Sequence, residues 1–205
     1  VSEQIGFIGD IHGEVHLLDR LLEKAIPKVS RLIFLGDYVN RGRASRQVID
    51  RLVHLQAEEV PATFLAGNHD RAFLLALNGA DIVPFLRIGG AATIASYIDE
   101  PIDNNVAAQL RRSVPEEHRA FLAGLQWADM GPDYVAAHQL ASDMRLDKRY
   151  GIFGHVPQRS LTPSIDDERA LIDTGCGTLP DGRLTCFLWP DRAWFQVSED
   201  SNSAV

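Results

Sequence analysis

The sequence has little cysteine and methionine, two of each in 205 residues. Cys176 and Cys186 stand ten positions apart. They lack the paired CxxC spacing of a structural zinc site and are too few for a disulfide scaffold. One disulfide between them is an option, but buried free thiols in a reducing compartment suit so sparse a set better. Long apolar runs are also missing. No stretch reaches the roughly 20 residues that cross a bilayer, and no secretory leader pattern is present. The expectation is a cytoplasmic protein. Positive charge is scarce as well, with 20 Lys and Arg against 28 Asp and Glu for a formal net charge of −8. Broad binding to nucleic acid or to an anionic membrane is therefore excluded. Divalent cations would cancel part of that charge locally, leaving one site able to attract anions. Gly and Pro are not in excess, and there is no internal repeat, low-complexity segment or linker. The length suits one domain with a substantial core.

What the chain does contain is five short segments, each placing a metal-ligand residue type just after an apolar run. They are Gly9-Asp10-Ile11-His12-Gly13, Gly36-Asp37-Tyr38-Val39-Asn40-Arg41-Gly42, Gly67-Asn68-His69-Asp70, His138 after Tyr134–Ala137, and Gly154-His155. Any one of them is ordinary turn chemistry. Turns and helix caps do not, however, demand His, Asn and His at the last three.

The elements around these segments come from periodicity. Ile5–Gly9, Arg31–Leu35 and Ala62–Leu65 read as strands. Between them lie a helix carrying Val15, Leu18, Leu21, Leu22 and Ala25, stopped by Pro27, and another carrying Val48, Leu52 and Leu55. A further helical stretch is Ala72–Leu77. Alternation of this kind predicts βαβ units, whose ligands gather at the carboxyl ends of the strands. Residues 79–129 read as a helical insertion, broken at Gly89-Gly90 and reopened at Pro115. After it come short strands at Tyr134–Ala137, Gly151–Phe153, Ala170–Ile172, Leu184–Trp189 and Trp194–Val197, the last two as an antiparallel hairpin. The expected organisation is α/β with two mixed sheets flanked by helices: one domain over 1–198 and a flexible tail over 199–205.

Phosphate-ester hydrolysis near neutral pH needs a nucleophile made from water and neutralisation of the phosphoryl oxygens. Two divalent cations roughly 3.5–4 Å apart supply both. Such a pair needs a bridging carboxylate, for which Asp37 is the candidate. Asp10 and His12, one residue apart, can face one metal. Asn68, His138 and His155 would complete the second. Carboxylate and imidazole without thiolate favour Mn, Fe, Zn or Co over Mg or Ca.

The set GDIHG, GDYVNRG, GNHD, a later His and a final GH closely resembles the metallophosphoesterases, and within them the phosphoprotein-phosphatase branch. The resemblance runs from Gly9 to Gly175, with Pro115–Leu125, Asp133–Ala137 and Ile172–Gly175 similar to bacterial members. It implies a four-layer α/β/β/α sandwich with two metals between the sheets, manganese foremost. Asp10, His12 and Asp37 would hold the first metal, and Asp37, Asn68, His138 and His155 the second. His69 would protonate the leaving alcohol and Arg41 would clamp the phosphate, its planar fork taking two oxygens at once. The broader family often ends in Gly-His-x-His. Gly154-His155-Val156-Pro157 lacks the last His, which favours phosphatases over cyclic-nucleotide phosphodiesterases and nucleases.

There are departures too. Protein phosphatases usually carry Asp where this chain has Asn40, which can accept a hydrogen bond from His69 but adds no charge. Asn40 with Gly-Asn-His-Asp is instead typical of symmetrical diadenosine tetraphosphatases. His138 is followed by Gln139-Leu140 rather than Ala-Gly. Only sixteen residues separate His138 from His155, where relatives carry a longer segment with a second phosphate-binding Arg beside a Trp. Arg145 and Arg149 are the substitutes within that segment. His16 reads as a surface residue or a neighbour of a ligand rather than a ligand, His54 and His118 as solvated, and Trp127, Trp189 and Trp194 as core. Tyr38 reads as either cleft or packing, and Asp70 as either a partner of a ligand or a helix cap. The expected function is a phosphomonoesterase like the bacterial serine/threonine phosphatases, acting on phosphoprotein, phosphopeptide or a small phosphoester. The alternatives are a dinucleoside polyphosphate hydrolase and a weakly active phosphate-binding module.

Overall fold

The computed structural model describes residues 4–56, 58, 60–140 and 145–199. Positions 200–205 of the expected tail lie outside them. The first third alternates as the apolar spacing requires: β1 (Ile5–Ile8), α1 (Val15–Ala25), β2 (Arg31–Phe34), α2 (Ser45–Leu55), β3 (Ala62–Phe64) and α3 (Asn68–Leu77). β1, β2 and β3 run parallel, with Ile5 opposite Arg31 and Leu32 opposite Ala62. α1 gives way at Pro27 to a single 3₁₀ turn, because proline offers no N–H to continue the ladder.

Four short helices follow: α4 (Val83–Arg87), α5 (Gly90–Tyr97), α6 (Val106–Ser113) and α7 (Glu116–Ala123). The second sheet then forms from β4 (Ala128–Met130), β5 (Tyr134–Ala137), β6 (Tyr150–Phe153), β7 (Ser164–Ile165) and β8 (Arg169–Leu171). β4 and β7 were not legible in the sequence, since neither is an apolar run like those that mark the equally short β3 and β8. The closing hairpin, β9 (Leu184–Trp189) and β10 (Ala193–Val197), returns to the first sheet and pairs β9 antiparallel with β1. The orders are β10-β9-β1-β2-β3 and β4-β5-β6-β8-β7.

Alternation divides the core. Phe7, Ile33 and Leu35 point from the first sheet toward Tyr134, Ala136, Tyr150, Ile152 and Ala170 of the second. Their neighbours Ile8, Leu32 and Phe34 face the other way, onto Leu18, Leu21 and Leu22 of α1 and Val48 and Leu52 of α2. Each such buried side chain is worth about 1.5–3 kcal/mol. All seven helices place buried residues in this second cluster. On the far side of the second sheet, Phe153 and Leu171 line a cavity of about 360 Å³ with Leu140 and Val156.

The readings of His118, Trp127 and Trp194 change, and that of Tyr38 is decided. His118 is fully buried, its Nδ1 2.8 Å from the Tyr97 hydroxyl and its Nε2 2.8 Å from Asp50 Oδ1, and so ties α7 and α5 to α2. Glu117 is also within reach, but both ring nitrogens are already engaged. Trp127 is 63% and Trp194 41% exposed, so neither is core. Tyr38 is packing: it is buried, donates to Leu65 O at 2.8 Å and meets Phe121 edge-on. Both cysteines are free and buried. Among the described residues no helix is long and apolar enough to cross a membrane.

Candidate metal centre

Five strand ends meet at one place. Asp10 follows β1, Asp37 follows β2, Asn68 opens α3 after β3, His138 follows β5 and His155 follows β6. The turns that deliver them are strained. His12, Asp37, Asn40, Arg41 and His155 all hold positive φ, between 46° and 73°, an arrangement that costs energy and clusters at functional sites. A Cβ at Gly67 would collide with Asp37 Oδ1, so only glycine lets the α3 turn approach that carboxylate.

Asp37 is the hub. Its Oδ1 accepts the His69 backbone N–H at 3.0 Å. Its Oδ2 lies 3.6 Å from His12 Nε2, 3.4 Å from His138 Nε2 and 3.8 Å from His69 Nε2. Asp10 Oδ2 is 4.0 Å from His12 Nε2, and the Asp10 carboxylate accepts the His155 N–H. His138 Nε2 stands 3.2 Å from Asn68 Oδ1 and 3.0 Å from His155 Nδ1. His12 donates from Nδ1 to Val39 O at 3.0 Å, and His138 from Nδ1 to Leu35 O at 3.1 Å. Each hydrogen bond leaves Nε2 aimed at the carboxylates, the orientation a metal-binding imidazole needs. Asp70 fills both roles open to it. Its Oδ2 accepts the Gly67 N–H and the Asp37 N–H, and its Oδ1 the Tyr38 N–H, so it caps α3 and holds the Asp37 turn.

The electrostatics fit cations. Asp10, Asp37, Asp70 and Asp173 are all buried, whereas the buried polar residues among those described include no Lys or Arg. Asp173 Oδ2 is buried without a hydrogen-bond partner among the described residues. Burial pushes Asp10 well up, Asp70 to about 7 with Asp37 adding to the effect, and Asp173 to about 6. For Asp37 burial is outweighed by the hydrogen bond and charge of His138 and the fields of His12 and His69, which hold it below the carboxylate range. Burial would lower His138, but Asp10 and Asp37 raise it to about 10. Without metal, protonated His138 is the compensating charge.

That assignment sets a pH dependence. A group raised in the folded state stabilises below its unfolded value and loses that contribution as pH climbs to its folded value. For His138 the window runs from 6.5 to about 10. His69, which burial lowers to about 4 against the pull of Asp37, acts only below 6.5. In chelator, the melting temperature should therefore fall by several degrees between pH 6.5 and 9. Saturating Mn²⁺ should flatten or reverse the slope, because ligation needs His138 deprotonated. A melting temperature that rises with pH in chelator would contradict the assignment.

His69 faces the hub from α3. Asn40 Nδ2 donates to His69 Nδ1 at 2.9 Å, and Thr93 Oγ1 donates to Asn40 Oδ1 at 2.7 Å. This corrects the expected direction: the amide donates to the imidazole rather than accepting from it, because the Thr93 hydroxyl occupies its oxygen. His69 then carries its ring proton on Nε2, the atom facing Asp37. Thr93 and Ser45 also receive the Asn40 backbone N–H. Neither stood out in the sequence, where a Thr inside a helical run carries no signal, and Asp173 is legible there only as part of the Ile172–Gly175 segment. Thr93→Val should lower turnover roughly ten-fold and Thr93→Ser should restore it. Equal losses in both would leave Thr93 merely structural.

Arg41 is exposed beside the site, its aliphatic stem against Gly89 at the head of α5. Arg149 sits at the opposite end of β6 from His155, bonded to Leu146 O and paired with Asp147. Arg145 is exposed and adjoins positions 141–144, which lie outside the described residues. His16 and His54 are exposed.

With this geometry in hand, a family model described as Calcineurin-like phosphoesterase matches residues 4–159. The chain belongs to that family. Among curated relatives, it is 32% identical over 105 residues to a PP2A-like serine/threonine-protein phosphatase of Candida albicans, covering 50% of this chain and 25% of that one. It is also 32% identical over 117 residues to the serine/threonine-protein phosphatase 6 catalytic subunit of Drosophila melanogaster, covering 50% and 38%. The matched stretch thus spans well under half of either phosphatase. Among solved structures, a protein provisionally titled diadenosine tetraphosphatase superposes with TM-score 0.68 at 19% identity, over 97% of this chain and 94% of that one. A metallophosphoesterase from Sphaerobacter thermophilus gives 0.59 at 16% identity, over 95% and 88%. At these identities the likeness is one of fold. The calcineurin-like family works with divalent metal ions, and Asp37, His138 and His155 come together as such an ion requires.

Proposed function

We propose that this calcineurin-like phosphoesterase is a dinuclear-metal phosphomonoesterase of the serine/threonine phosphatase type. The observation carrying the reading is that His12, Asn68 and His155 gather around the Asp37 Oδ2–His138 Nε2 pair, with Asp10 Oδ2 4.0 Å from His12 Nε2 and His69 Nε2 facing the same hub. Asp10, His12 and Asp37 would hold one ion, and Asp37, Asn68, His138 and His155 the other. When bound, the pair, with manganese the first candidate and iron, zinc or cobalt the others, neutralises phosphoryl oxygens and activates water at neutral pH.

The remaining work belongs to the side chains. Arg41 presents its fork to two non-bridging oxygens and orients the phosphate. His69 in its imidazolium form passes its Nε2 proton to the leaving alkoxide as the P–O bond breaks and is left neutral, with the Asn40 amide turned to receive the remaining Nδ1 proton. No phosphoenzyme is needed. Burial raises both thiols, Cys186 to about 12, so neither supplies a thiolate.

A second reading is supported by Asn40 and Asp70, which occupy the positions typical of symmetrical diadenosine tetraphosphatases. We take residues 1–198 as one domain with the α4–α7 helices inserted. Phosphate release from a phosphoserine peptide and from diadenosine tetraphosphate, in Mn²⁺ and in chelator, tests the choice. A preference for the peptide supports the first reading and a preference for the dinucleotide the second. Full metal occupancy with no turnover of either would leave only a phosphate-binding module.

A further inference from the structure

Two exposed side chains form an unassigned pair at the rim of this centre. The Arg71 guanidinium lies 4.0 Å from the centroid of the Trp127 ring. The backbone explains why both reach the rim. Arg71 donates its N–H to Gly67 O, which places it in the first turn of α3. It is three residues beyond Asn68 and so on the same helix face, whose side chains are neighbours. Asn68 in turn touches His138. From the other side, β4 and β5 pair antiparallel with Ala128 opposite Ala137. Continued one residue past the strand ends, that register sets Trp127 across from His138.

The chemistry of the pair is specific. Trp127 fixes one face of the guanidinium by cation–π attraction. The N–H edges of Arg71 have no hydrogen-bond or ion-pair partner among the described residues. A planar, pre-positioned fork with unused donors is built to accept an oxyanion. It sits beside Asn68 and His138, whereas Arg41 follows Asn40 on a separate loop and packs on Gly89. We propose that Arg71, braced by Trp127, is a subsite for a second anionic group on the substrate, one helical turn from the phosphate being cleaved. That group is an acidic side chain next to a phosphoserine, or the next phosphate of a polyphosphate chain. The inference rests on the phosphoesterase reading above.

The test compares Arg71→Gln with the parent protein on two substrate pairs in Mn²⁺. One pair is a phosphoserine peptide flanked by Asp and the same peptide flanked by Asn. The other is inorganic tripolyphosphate and p-nitrophenyl phosphate. The ratio of kcat/KM within a pair should fall roughly ten-fold in the variant. Collapse of the first ratio identifies an acidic side chain, and collapse of the second a polyphosphate. Trp127→Ala should reproduce the loss and Trp127→Phe should retain the ratio, since only the latter keeps a ring under the guanidinium. Pyrophosphate should quench Trp127 fluorescence in the parent and need roughly ten-fold more anion in Arg71→Gln. Unchanged ratios and an unchanged quench would overturn the proposal. If the parent turns over none of the four substrates, the phosphatase reading fails, while the quench still decides the subsite.

Discussion

His69→Asn should lower turnover of an alkyl phosphate monoester by roughly a hundred- to ten-thousand-fold, the range of a lost general acid. Both metal ions should stay bound. The separation is expected because His69 is outside the six side chains proposed as ligands. Its Nε2 faces Asp37 Oδ2 at 3.8 Å, while its backbone N–H anchors Asp37 Oδ1. The substitution keeps that backbone contact and removes only the transferable proton. The loss should shrink for a nitrophenyl ester, whose leaving group departs without protonation. Equal losses on alkyl and aryl esters, with metal retained, would mean that His69 serves binding and not proton transfer.

Asp37→Asn should have the larger consequence for metal. The carboxylate lies within 3.8 Å of three imidazole nitrogens, and a neutral amide oxygen cannot bridge two dications in its place. At least one ion should be lost at micromolar Mn²⁺, and turnover should fall roughly a thousand-fold or more. Folding should survive, because the isosteric amide can still accept the His69 N–H. Melting in chelator checks that directly. Retention of two ions per chain would show that the bridging group is another side chain, with Asp10 the first to examine.

The centre was more legible than its support. Asp10, Asp37, His138 and His155 each terminate an apolar run, so a parallel-sheet reading carries them to one edge without knowledge of the packing. The strands of the first sheet were visible for the same reason, being apolar enough to be buried on both faces. What failed to show depends on tertiary contact alone. Thr93 gains meaning only because α5 packs its hydroxyl onto Asn40. The orientation of the Asn40 amide followed from that contact and could not be read from a loop sequence. His118 looked solvated among Glu116, Glu117 and Arg119, yet α7 turns it inward onto Tyr97. Trp127 was misread because size suggests burial, whereas its position just before β4 leaves it at the rim.

The central claim is that two divalent ions held by six side chains make this chain a phosphoesterase. The most direct measurement titrates chelator-stripped protein with Mn²⁺, following bound metal and phosphate release from a phosphoserine peptide in the same samples. The account predicts activity that reaches its plateau at two ions per chain and disappears on re-chelation. Full activity in the stripped protein, or a plateau at one ion with no further uptake, would contradict it.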